Sequence, residues 1–130
     1  MTFNGTTVNC SPTICAAAKS VYTGGPYKAV AYEDGQIVAC TDTLTPAGLT
    51  ITETSDTIPA GDDVHFQIKD IGVWKAGGTF SAGDALASDA NGCAVKAAAG
   101  AYILGYALET CAAEGQVIPV QITKSGYAKA

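Results

Sequence analysis

The chain has 130 residues, a formal net charge of −5 and no arginine. A chain of this length buries roughly two-thirds of its unfolded surface, enough for one domain with a sizeable core. The lack of arginine, the best partner for phosphates and base edges, argues against nucleic acid, and the acidic balance argues against an anionic membrane surface.

Ala, Gly and Thr dominate, while the Glu, Lys and Leu that mark long helices are scarce. Such a composition favours thin, closely packed sheets. No stretch approaches the roughly 20 apolar residues that span a bilayer. The start, MTFNGTTVNCSPT, lacks the basic and apolar regions of a signal peptide.

Residues 1–26 are polar, rich in Thr and Asn, and close on Gly24-Gly25-Pro26. Their apolar residues follow no sustained period. The segment reads as an extended arm or an irregular first strand, and it is either a terminus without fixed structure or an arm that orders against a neighbouring subunit through Phe3, Val8 and Ile14. The arm is preferred because the segment carries Cys10 and Cys15. The expected organisation is an extended N-terminal arm over residues 1–26 and a single β domain over 27–130.

Tyr27 to Cys40 reads as a hairpin turning at Asp34-Gly35. A loop over 41–48 leads into a β-branched strand, Leu49 to Thr52. Val64 to Lys69 gives the cleanest period-two alternation, with Val64, Phe66 and Ile68 facing in and His65, Gln67 and Lys69 facing out. Ile71 to Lys75 continues it or forms a separate strand. Ala85 to Asp89 and Cys93 to Lys96 form a second hairpin, and Asn91-Gly92 suits a type I′ turn. Tyr102 to Leu108 is a strand with Tyr102, Leu104, Tyr106 and Leu108 on one face. Gly105, on the other, admits a close backbone. Ile118, Val120 and Ile122 line a last strand, and Pro119 places that strand at an edge or seam, because proline donates nothing to a ladder. The tail after Ile122 reads as frayed.

The triplets Pro46-Ala47-Gly48, Pro59-Ala60-Gly61, Ser81-Ala82-Gly83 and Ala113-Glu114-Gly115 each precede a strand, with Gly placed for a positive φ. Their spacing is irregular, so they define no solenoid. The pattern as a whole is all-β: a small barrel or sandwich of short strands and hairpins.

Little chemistry attaches to this framework. His65, the single histidine, sits on the polar face of its strand, and no Ser-His-acid set or Gly-x-Ser-x-Gly elbow surrounds it. Cys10 and Cys15 are spaced as a zinc knuckle tolerates, but no second close pair follows. Asp62-Asp63 reads as turn solvation, without the acidic spacing of a calcium loop. No catalytic, metal-binding or cofactor-binding set is assigned. The five cysteines, Cys10, Cys15, Cys40, Cys93 and Cys111, are many for a cytosolic chain, and their number is odd. They read either as buried small hydrophobes or as disulfide partners, with one left free or paired between chains.

The succession AGDAL, NGCAVKA, ILGYALE and EGQVIPVQI, covering the C-terminal half, resembles small head-decoration (capsid cement) proteins of tailed bacteriophages. The resemblance implies a non-enzymatic virion protein, made in the host bacterial cytoplasm and bound to the outer capsid surface. It implies the major capsid protein as partner, self-association as a homotrimer, and a clamp that rivets neighbouring capsomers. Neither nucleic acid nor membrane is implied as a partner. Cysteine richness departs from that family, and Cys10 or Cys15 on the arm offers a covalent link between subunits. The residues also admit a secreted or surface-displayed β binding module, an adhesin or carbohydrate-binding domain with intrachain disulfides.

Overall fold

Short β-branched and alanine-rich runs between glycine turns fold as ten strands, in a computed structural model that describes residues 13–129. In chain order they are β1 (Thr13–Ala17), β2 (Ala29–Glu33), β3 (Gln36–Ala39), β4 (Pro46–Thr50), β5 (Asp63–Gln67), β6 (Asp70–Lys75), β7 (Ala85–Ser88), β8 (Ala94–Lys96), β9 (Tyr102–Ala107) and β10 (Val117–Tyr127). No helix occurs among the described residues. The strands make two five-stranded sheets, ordered β1-β5-β4-β2-β3 and β6-β10-β9-β7-β8, and every strand pair is antiparallel. Neither sheet closes into a barrel. The architecture is sandwich-like and all-β.

Each sheet uses one contiguous half of the chain, and the two halves repeat one topology. Substituting β6 to β10 for β1 to β5 reproduces the strand order. The repetition extends to single hydrogen bonds. Ala18 bridges Ile37 in parallel as Ala76 bridges Ala94, and Tyr22 bridges Ile58 as Phe80 bridges Cys111. The Gly61 amide donates to the Ala18 carbonyl at 2.8 Å, and the Gly115 amide donates to the Ala76 carbonyl at 2.9 Å. Val64-His65-Phe66-Gln67-Ile68 and Ile118-Pro119-Val120-Gln121-Ile122 are counterparts. So are Gly48 and Gly105, where a Cβ would overlap the carbonyl oxygens of Gln67 and Gln121 respectively. Only glycine lets the backbones approach this closely.

One cluster of buried side chains belongs to the first half: Ala18, Tyr22, Val30, Ile37, Ile58, Val64 and Phe66. The other joins the halves. It sets Ala29, Ala31, Cys40 and Leu49 against Trp74, Leu104, Ile118 and Ile122. Trp74 is fully buried there, and its indole N–H donates to the Gly92 carbonyl at 2.8 Å, which also accepts the Ala29 amide at 2.9 Å. At the corner between sheets, the Gln67 side-chain amide donates to the carbonyls of Lys69 and Ile71, each at 2.7 Å.

Several sequence expectations need correction. The Asn91-Gly92 turn is not type I′, since Asn91 lacks a positive φ. The Asp89 carboxylate accepts the amides of Asn91 and Cys93 and shapes a longer loop. The paired positive φ values belong instead to Asp34 and Gly35, at 55° and 76°, between paired Glu33 and Gln36. The strand placed at 49–52 starts at Pro46. β10, with Pro119, is central rather than at an edge. Proline is tolerated because Pro119 meets Leu108, one residue beyond β9. It accepts the Leu108 amide at 3.1 Å there, and only the return bond is missing. The tail is no frayed end: β10 resumes after an irregularity between Ile122 and Gly126, and Tyr127 pairs with Tyr102. Residues 13–26 supply β1 and Tyr22 to their own chain's first half, in line with the alternative of an irregular first strand. The rest of the expected arm lies outside the described residues.

Candidate functional site

Phe3, Val8 and Cys10 lie outside the described residues. Ile14 stands on β1, an edge strand, and is 38% exposed. It borders a groove of about 600 Å³, together with Tyr32, Leu44, Ala47, Ile68 and Tyr102, with Lys124 alongside. Burial holds the Lys124 ammonium below its ordinary pKa. The groove walls mix these apolar side chains with Thr43 and Thr45.

Cys15, Cys40, Cys93 and Cys111 stand as free thiols. Cys15 is exposed on β1, with its Sγ 3.8 Å from Asp63 Oδ2. Cys40 is buried, its thiol donates to the Thr41 carbonyl at 3.3 Å, and burial pushes its pKa up. Burial also raises the half-buried Cys93 thiol, against the pull of Lys28 nearby. Cys111 is buried, with the Ala113 carbonyl 3.1 Å from its sulfur.

The register sets Cys15 directly across from His65, a juxtaposition the sequence did not announce. Both residues are exposed, and the Cys15 thiol turns to Asp63. A hollow of about 250 Å³ beside His65 is lined by Glu53, Asp62 and Asp63 among others. Among the described residues, no three His, Cys, Asp or Glu side chains gather as metal ligands.

A second feature is the outward face of the second sheet. Ile71 and Val73 on β6, Val117 on β10 and Leu108 after β9 are exposed by 60%, 38%, 43% and 43%. The register joins them, since Gln121 pairs with both Ile71 and Tyr106, and Pro119 pairs with Val73. In the sequence this face carries no motif. Its signal was the alternation Ile71-Gly72-Val73-Trp74, in which both sets of positions are apolar. One set is buried, and the other is left over.

The sequence profile of the phage cement proteins matches residues 13–122. The chain belongs to that family. As a cement protein it is a structural component associated with the phage capsid, and its place is the virion. The match begins with β1 and ends at Ile122, where the regular β10 ladder is interrupted, so it spans both halves. The chain also resembles a solved structure, the head fiber gp8.5 N base of bacteriophage phi29. The TM-score is 0.67 and the sequence identity 25%, over 88% of this chain and 96% of that one. A comparison with curated proteins gives no match.

Proposed function

We propose that this cement protein decorates the outside of an assembled capsid and clamps neighbouring capsomers, with the major capsid protein as its partner. The observation that carries this reading is the family match across both sheets. An all-β body with two partner-ready apolar surfaces suits a clamp, because a clamp needs rigid faces and no moving parts. A homotrimer at a three-fold or quasi-three-fold position would attach through three copies of one modest contact, and linked contacts multiply avidity. Phe3, Val8 and Ile14 contact neighbouring subunits in this scheme. Cys10 or Cys15 links subunits covalently: two thiols form one S–S bond and give up two protons and two electrons to dissolved oxygen after host lysis. The exposure of Cys15 supports that role.

Capsids assembled without this protein provide the test. Added protein is expected to co-sediment with them and to raise the temperature at which they release DNA. Protein left in the supernatant, with unchanged particle stability, would refute the reading.

A further inference from the structure

The repeated topology exposes an unused half of an interface. Within the chain, Gly72, Trp74, Leu104 and Ile122 of the second half meet Ala29, Val38 and Leu49 of the first. Gly72 is small because the Leu49 side chain occupies the space beside it, 3.2 Å from where a Cβ would stand. The ladders identify the counterparts of both faces. In the first half, Ile14, Ala16, Ala47 and Ile68 occupy the places of Gly72, Trp74, Leu104 and Ile122. In the second half, Ala85, Val95 and Tyr106 occupy those of Ala29, Val38 and Leu49.

Both counterpart faces are partly open: Val64 and Phe66 beside Ile14 and Ala16 are buried within the first half, but the residues around them are not fully covered. Ala29 and Leu49 are 0% and 1% exposed, whereas Ala85 and Tyr106 are only half-buried. Ile14, Ala47 and Ile68 line the open groove. Apolar surface left this way is a partner site when its complement exists. Here the complement is carried on the same molecule.

We infer that a second copy docks its Ile14-Ala47-Ile68 groove onto the Ala85-Val95-Tyr106 face of the first, repeating the packing between halves of one chain. The sizes compensate. Tyr106 is larger than its counterpart Leu49, and Ala16 is smaller than its counterpart Trp74. Exposed Ile71 and Val73 lie on the same sheet face as Tyr106 and extend the contact. The contact is head-to-tail, because the two faces differ, so each copy uses one of each. The inference specifies the self-association of the homotrimer proposed above and rests on that reading.

Light scattering on two variants tests it. Ile14→Asp blocks one face and Tyr106→Asp the other, and circular dichroism checks that each folds; Ala85→Asp replaces the second if it does not. Wild type is expected to form a multimer that survives reductant, and each variant alone a monomer. The two variants mixed are expected to form a dimer that grows no further, since one intact face of each kind remains. A wild-type monomer at the highest soluble concentration would overturn the docking, as would a variant that keeps the wild-type mass. Variants that stay monomeric on mixing would overturn it as well. Capsid co-sedimentation of the wild type, measured separately, shows whether the decoration reading falls with it.

Discussion

Cys15 and Cys40 carry the same sulfur in opposite surroundings. Thiolate is the reactive form, so access and pKa together set the rate of modification. Cys15 is exposed, whereas burial raises the Cys40 thiol and encloses it. Among the four described cysteines, a maleimide reagent at neutral pH is expected to label Cys15 first, Cys93 more slowly, and Cys40 and Cys111 only on unfolding. Peptide mass spectrometry over time reads the order, and early labelling of Cys40 would contradict the packing. Tyr22 makes a second test. Its hydroxyl donates to the Gly25 carbonyl at 2.7 Å inside the first half, and burial raises its pKa. A raised pKa means that the neutral form is favoured in the folded state. That contribution is whole below the unfolded tyrosine value of about 10 and is lost as pH rises through the folded pKa. Tyr22→Phe is expected to cost about 1 kcal/mol at neutral pH and to flatten the alkaline decline in stability. Urea unfolding at pH 7 and above pH 10 measures both.

Strands and turns show where sequence reading succeeds and where it stops. Alternation located β5 and the inward set Ile118, Val120 and Ile122, which are 4%, 0% and 6% exposed. A period of two is a local property, and local properties are visible in a string of letters. Asn91-Gly92 misled because a carboxylate two residues upstream captured the turn amides, and Pro119 misled because the length of β9 decided what its nitrogen faced. Both outcomes depend on groups that the local motif does not contain. The groove fell in the same gap: Ile14 was singled out, but Ala47, Ile68 and Tyr102 come to it from distant parts of the chain. Gly48 and Gly105 belong to this scale too. Each stands where a neighbouring strand's carbonyl excludes a side chain. Gly48→Ala and Gly105→Ala are each expected to destabilise by about 2 kcal/mol, since overfilled sites strain backbone that cannot give. Alanine tolerated without loss at either position, in thermal or denaturant unfolding, would refute the close approach.

Trp74 belongs to the cluster that joins the two halves. Trp74 is the single tryptophan, it is fully buried between sheets, and its indole reaches the same carbonyl as Ala29. Trp74→Ala is expected to cost roughly 3–5 kcal/mol, as truncation of a buried aromatic does. Equilibrium unfolding measures that loss. The native fluorescence should be blue-shifted and should move red as the halves part. The duplication itself escaped the sequence because the shared letters are scattered and mostly small: Ala18 with Ala76, Ala29 with Ala85, Val38 with Val95, Gly48 with Gly105, Gly61 with Gly115, and Gln67-Ile68 with Gln121-Ile122. Topology preserved what composition did not. No named ladder crosses between the halves, and the first sheet's pairings all lie between Thr13 and Gln67. On the ribosome, that sheet has all its pairing partners before any residue of β6 has been made. Sheets closed over short stretches of chain assemble faster than those that wait for distant strands. The order of synthesis therefore presents the second half with a finished template. It also leaves Ala29 and Leu49 without their cover until the strands around Trp74 arrive.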